Sequence, residues 1–417
     1  MREASATMAA VLLGAIPPPA AIAETEADLL ARAGGIHERV ITIDTHVDIP
    51  PDFGTEAYDP AQAKPPGQQV DLPGMENGGL DAVFFIVFVM QRERNATGYA
   101  RAMADAFVKY AAIRKMTDVD HPDRIGLART AADVRRIHAE GRRIALIGIE
   151  NGFSIGRDLD LLDLHYGFGA RYLGLLHNGH NDLGDSAVPN AARGEPEAEH
   201  GGLSELGRAA IRRANRLGMM VDVSHSSEKT TLDVIQASAA PVIASHSAVD
   251  GVFAHARNMS DEALLAVRDN GGVVQIVAFD SYLRQTPPEK QAAMGAVYRE
   301  MNIRSAADFA GMSEEQRGAF YARMAEVTRM PPRASVKHLA DHIGYAVERI
   351  GIDHVGIASD FNGGGGIEGW DNAGETLNVT VELVRRGYTE EQIAKLWGGN
   401  LLRVMEAVEL LAAESER

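Results

Sequence analysis

The sequence contains no cysteine in 417 residues. Disulfides, thiolate metal ligands and a cysteine nucleophile are excluded, so any metal ion must be held by His, Asp and Glu. Positive charge is also short. Against 58 Asp and Glu stand 41 Lys and Arg, a formal net charge of −17 that repels phosphate backbones and argues against a nucleic-acid partner. Beyond residue 23 no apolar run approaches the length of a membrane span, so none is expected. With 45% hydrophobic and 24% charged residues, the composition is that of a soluble globular protein acting on a small molecule or peptide.

Residues 8–23, MAAVLLGAIPPPAAIA, have the form of a secretory signal: a short apolar stretch, then Ala-Ile-Ala before the polar ETEAD. Residues 1–23 are read as a signal peptide cleaved after Ala23, with a periplasmic or secreted location. The remainder, 24–417, shows no internal repeat and no linker, and an α/β barrel with insertions uses such a length as one domain.

From residue 39 onward, apolar β-rich runs alternate with helical patterns. The runs are RVITIDTH (39–46), LDAVFFIVFV (80–89), RIALIGIE (143–150), ARYLGLLH (170–177), MMVDVSH (219–225), PVIASH (241–246), GGVVQIVAF (271–279) and HVGIASD (354–360). Between them lie helix candidates with start and stop signals, such as Thr130 to Gly141 and Ser204 to Gly218. Eight such units predict a (β/α)8 TIM-type barrel. A long polar segment, 281–335, separates the seventh and eighth runs and is a candidate lid.

Six of the eight runs end at or just before a group able to bind metal or move protons: His46 with Asp48, Glu150, His177, His225, His246 and Asp360. In a parallel barrel the strand C-termini share one face, so these distant positions converge. His46 and Asp48 stand two apart and can turn to one side. Glu150 offers two oxygens that can bridge two ions, and His225 and His246 end consecutive runs. The five divide into His46, Asp48 and Glu150 around one ion, and Glu150, His225 and His246 around another. Three imidazoles and two carboxylates suit two zinc ions, with manganese or cobalt as substitutes, and leave positive charge to bind and deprotonate a water.

Other patterns carry less. His338 and His342 stand at i and i+4 without the Glu of an HExxH site and read as an ordinary surface helix. Gly363 to Gly366 lack the Lys-Ser/Thr ending of a phosphate loop and read as a flexible turn after the eighth strand. His121, His138, His165, His200, His255 and His354 lack a partner at ligand spacing and read as structural or solvated.

The ordered set IDTHVDIP, IGIENG, RYLGLLHN, VDVSHSS, PVIASHSAV, HARNMSDE, HVGIASDFNGGGG and WGGNLLRVM resembles the membrane dipeptidase (renal dipeptidase) family of zinc peptidases, which have an amidohydrolase-like barrel. The resemblance runs from about residue 38 to the end of the chain. It implies the same ligand division, and it adds roles that spacing does not assign. His177 would contact substrate near the scissile carbonyl, Arg257 would pair with the C-terminal carboxylate of a dipeptide, and Asp360 would handle protons. Asn362 departs from the family pattern, where many relatives carry an acid after Asp-Phe, and the 281–335 segment is longer than in short members. The function implied is hydrolysis of free dipeptides, with L-Xaa-D-Xaa among the candidate substrates and a homodimer as the candidate assembly. Two rivals stand beside it: a hydrolase of lactones, acyl amino acids or cyclic amides on the same metal centre, and a periplasmic maturation factor without dipeptidase turnover.

Overall fold

The computed structural model describes residues 24–304, 308 and 311–415. The signal segment expected over residues 1–23 lies outside the described residues. Among the described residues ten strands form in chain order: β1 (Ile43–Asp48), β2 (Ala82–Phe88), β3 (Ile125–Leu127), β4 (Arg143–Glu150), β5 (Ala170–Gly174), β6 (Met220–Asp222), β7 (Ile243–Val249), β8 (Asn258–Met259), β9 (Val273–Val277) and β10 (Val355–Ala358). Eight pair side by side in the order β1-β2-β4-β5-β6-β7-β9-β10, and each falls on one of the eight apolar runs. Every pairing is parallel. The short β3 and β8, which the run count passes over, add to β4 and β7.

Burial on both faces explains why these strands read as continuous apolar runs rather than alternating ones. In β2 and β4, Val83, Phe85, Val87, Ala145, Ile147 and Ile149 join the large apolar layer shared with the surrounding helices. The alternate residues Phe84, Ile86 and Leu146 join Tyr172, Met220 and Ile243 in a second cluster, with Leu401 and Met405 of the C-terminal helix. Gly148 is required here, because a Cβ at that position would lie 2.1 Å from the Tyr172 ring. The helix signals hold as read. Thr130 caps Ala131–Ala139 by accepting from Asp133 N, and Ser204 caps Glu205–Leu217 by accepting from Gly207 N, with Gly218 at φ 79° ending it.

The ring closes beside the site. Just past β10, Asp360 N donates to His46 O (3.1 Å) and Asp48 N donates to Phe361 O (2.9 Å). The result is a nearly closed parallel eight-strand barrel ringed by helices, a TIM-type fold. Among the described residues no helix is long and apolar enough to cross a membrane.

The 281–335 insertion contributes helices Pro288–Glu300 and Glu314–Thr328, which share a small apolar cluster of Val297, Ile303, Phe320 and Val327. Its ends are tied to the barrel rim. Lys290 pairs with Asp280, just after β9, and Arg333 bonds Asp371 (2.7 Å) and the carbonyl of Gly366 (2.9 Å), beyond β10.

Candidate active site

The strand C-termini bring seven of the eight expected residues into three overlapping groups: His46, Glu150 and His246; Glu150, His177 and His225; His46, Asp48 and Asp360. Within each group the ligand atoms lie within 4.8 Å of one another. Glu150 sits at the centre, and its two oxygens face different partners. Oε2 lies 3.6 Å from His46 Nε2, while Oε1 lies 3.1 Å from His225 Nε2 and 3.4 Å from His246 Nε2. Asp48 Oδ2 stands 3.7 Å and Asp360 Oδ1 4.0 Å from His46 Nε2.

The ring nitrogens on the far side fix which atoms face inward. Ser245 Oγ donates to Asp222 Oδ2 (2.6 Å), so its oxygen is left to accept from His246 Nδ1 (2.8 Å). Tyr172 OH donates to Thr45 O (3.2 Å) and accepts from His46 Nδ1 (3.1 Å). Asn178 Oδ1 faces His225 Nδ1 at 3.2 Å. With all three Nδ1 atoms donating outward, three Nε2 lone pairs converge. His225 and His246 Nε2 are only 3.0 Å apart, and His46 Nε2 is buried with no hydrogen-bond partner among the described residues. Lone pairs at that distance repel unless a cation lies between them and the carboxylates. The donor set fits divalent metal, and outward hydrogen bonds of this kind orient metal-binding histidines.

Charge in the cluster points the same way. Burial opposes ionisation of Glu150, yet the imidazoles of His46, His177, His225 and His246 outweigh it and hold the carboxyl well below its usual range. Burial pulls His46 down, but Glu150 and Asp48 prevail and raise it well above the usual imidazole value. The carboxylates that hold a proton on His46 would equally hold a metal cation. His225 and His246 are pushed well below the usual value, chiefly by burial, with Arg257 or His46 adding repulsion. Burial, together with Asp48 and Glu150, pushes Asp360 well above the carboxylate range.

Local backbone aims these groups. His225 and Asp360 take left-handed conformations, with φ 66° and 57°, where each chain leaves its strand. Side-chain carboxylates replace strand pairing at two ends: Asp222 Oδ1 accepts from Ser224 N (3.0 Å) and Ser245 N (2.8 Å), and Asp44 Oδ1 from His46 N (3.2 Å) and Ser359 N (3.0 Å). Asp44, Asp222, Ser245, Tyr172 and Asn178 are the supporting residues that the sequence reading missed. For Asp44 and Asp222 a signal was present: each precedes a candidate ligand, His46 or His225, by two or three residues within its run.

Arg257 lies buried on the same rim, where Nη2 donates to His246 O (3.3 Å), Nε has no partner among the described residues and the guanidinium stands 5.5 Å from the Tyr282 ring centre. Asp261 does not pair with it, being bound to Arg349 (2.8 Å) and Tyr345 OH (2.8 Å). His177 packs against Phe88 and His225, with ring centres 4.7 and 4.4 Å away.

Two readings are corrected. Gly363 to Gly366 form a packed turn rather than a flexible one, with Gly365 N bonded to Asp360 O (2.8 Å) and Gly366 N to Ala278 O (2.9 Å). A Cβ on Gly363 would lie 2.2 Å from Asp360 Oδ1 and 2.4 Å from Asp48 Oδ2, so glycine is what lets the backbone pass these carboxylates. His342 is not on a surface face. It is fully buried, accepting from Val249 N (3.2 Å) and donating to Leu283 O (3.2 Å). Asn362 does not face the cluster with a free amide; it donates to Asp48 O (3.0 Å) and accepts from Gln69 N (2.8 Å).

A parallel barrel with histidines and carboxylates gathered at its strand C-termini defines a metallohydrolase of the amidohydrolase-like class. The family model for membrane dipeptidase (peptidase family M19) matches residues 30–417, and the chain belongs to that family of hydrolases acting on dipeptides. Its relatives include dipeptidase aclJ of Aspergillus oryzae, 32% identical over 82% of this chain and 71% of the relative. Dipeptidase tcpJ of Claviceps purpurea is 30% identical over 83% and 71% respectively. Among solved structures, the probable dipeptidase PvdM from Pseudomonas aeruginosa superposes with a TM-score of 0.83 at 33% identity, over 93% of this chain and all of the other.

Proposed function

We propose that the chain is a binuclear zinc dipeptidase that cleaves free dipeptides, including those with a D-residue second. The observation that carries the two-ion reading is the division of Glu150, one oxygen toward His46 and the other toward His225 and His246. His46 and Asp48 would hold one ion, His225 and His246 the other, and Glu150 both. When bound, the ions supply Lewis-acid activation of water and of the scissile carbonyl.

The remaining steps fall to the protein. Arg257 receives the C-terminal carboxylate through a buried guanidinium with an unused Nε, which selects short free-ended substrates. His177, kept neutral by burial, donates a hydrogen bond to the carbonyl oxygen as charge builds on it. Asp360, whose environment favours the protonated carboxyl, carries a proton to the leaving amine nitrogen. The 281–335 insertion caps the face, since its anchored ends flank β9 and β10. Residues 1–23 direct export to the periplasm or beyond.

A panel of L,L and L,D dipeptides, each with its C-terminal amide, tests this reading. Turnover of the free peptides with much slower turnover of the amides supports it. Cleavage of lactones or acyl amino acids with no dipeptide cleaved would establish the rival hydrolase instead.

A further inference from the structure

Lys109 is a cation that the chemistry above does not use. It lies on the helix Ala96–Lys115, which packs across the strand-end face: Gly54 of the loop after β1 abuts Ala112, and Tyr99 packs against Phe153 beyond β4 (ring centres 5.0 Å apart, planes tilted by 47°). The Lys109 ammonium sits over the Phe88 ring, 5.5 Å from its centre, and the other side of the contact chain is His177, 4.7 Å from Phe88. Lys109 is half-buried and makes no ion pair or hydrogen bond among the described residues; nearby Asp105 is bonded to Arg92 (2.7 Å). Burial lowers its pKa, and the fields of Asp48, Glu150 and Asp105 oppose that, which puts it at the edge of the acidic centre.

Position on the barrel gives this cation a direction. In the ring order β1-β2-β4-β5-β6-β7-β9-β10, β2 and β7 are diametrically opposed. Arg257 follows β7, whereas Phe88 ends β2. A dipeptide with its C-terminal carboxylate on Arg257 and its carbonyl at His177 therefore extends its first residue toward Phe88 and Lys109. Lys109 would repel the α-ammonium of that residue, so the part of the first residue that it can receive is the side chain. We propose that Lys109 and Phe88 form the pocket for the first side chain and that Lys109 selects a carboxylate there, so that Asp-Xaa and Glu-Xaa dipeptides are the preferred substrates. This inference rests on the dipeptidase reading.

The test compares kcat/KM for Glu-Ala and Gln-Ala, which differ in charge but little in shape, in the metal-loaded full chain and in Lys109→Met and Lys109→Glu. Each ratio is taken within one protein, so a general loss of folded enzyme cancels. A charge-assisted hydrogen bond predicts that the wild type favours Glu-Ala by about 10-fold. The preference should collapse to near parity in Lys109→Met, through KM, and shift toward Lys-Ala in Lys109→Glu. Parity in the wild type, or a preference for Glu-Ala that survives both substitutions, overturns the assignment. If Leu-Ala is cleaved and Glu-Ala holds no advantage, this inference alone falls; if no dipeptide is cleaved, the dipeptidase reading falls with it.

Discussion

His225 and Asp360 occupy left-handed backbone conformations that non-glycine residues rarely adopt, and such strain persists only where surrounding structure enforces it. Both point a reactive group at Glu150 or His46, so the strain marks the site independently of the side chains. For Asp360 the geometry allows two roles, since it lies near His46 and Asp48 as a ligand would. As a proton carrier, Asp360→Asn keeps both metals and lowers kcat by about 10²- to 10⁴-fold; metal content and kcat on one sample decide, because a ligand would lose an ion too. Arg257→Ala should cost free dipeptides about 2–5 kcal/mol of transition-state binding and C-terminal amides little, read from kcat/KM on both. Ser245→Ala removes the acceptor that fixes the His246 tautomer, so chelator competition should show metal affinity reduced about 10- to 100-fold. The clustered histidines and carboxylates, candidate ligands, were legible as strand-ending residues. Tyr172 and Ser245 were not, because a hydroxyl inside an apolar run has no spacing signature, and only the folded ring shows what it touches.

Among the elements, the eight barrel strands were readable because two-sided burial demands long apolar runs. β3 and β8, of three and two residues, are too short for any periodicity to register. The helix Val336–Ile350 shows how spacing misleads. His338 and His342 share a face by count, but Leu339, Ile343, Ala346 and Ile350 set the buried stripe, and His342 falls within it. There it joins the helix to β7 through Val249 and to the insertion's start through Leu283. Burial pushes its pKa down to about 4. A histidine depressed below its unfolded value of about 6.5 stabilises the fold fully above that pH and loses the contribution as pH falls toward about 4, roughly 3 kcal/mol in all. His342→Gln keeps a donor and an acceptor without titrating, so its melting temperature should fall less steeply between pH 6.5 and 4 than that of the wild type. Parallel slopes would mean that His342 is already free to protonate in the fold.

Over the whole molecule, the barrel gathers side chains from residue 46 to residue 360 onto one face, and its closure between β10 and β1 is made by the backbones of His46, Asp48 and Asp360 themselves, with Phe361. Fold and site are therefore one construction. That is why a strand count and a list of strand-ending groups recovered the centre together, while the supporting hydrogen bonds and the Lys109 side of the face, carried by a helix rather than a strand end, stayed hidden. The central claim is a two-ion centre bridged by Glu150, and metal titration of the metal-stripped full chain tests it most directly, with dipeptide hydrolysis as the readout. Activity should be absent without metal and climb to a plateau at two equivalents of zinc per chain. A plateau at one equivalent, or full activity in the stripped protein, would contradict it.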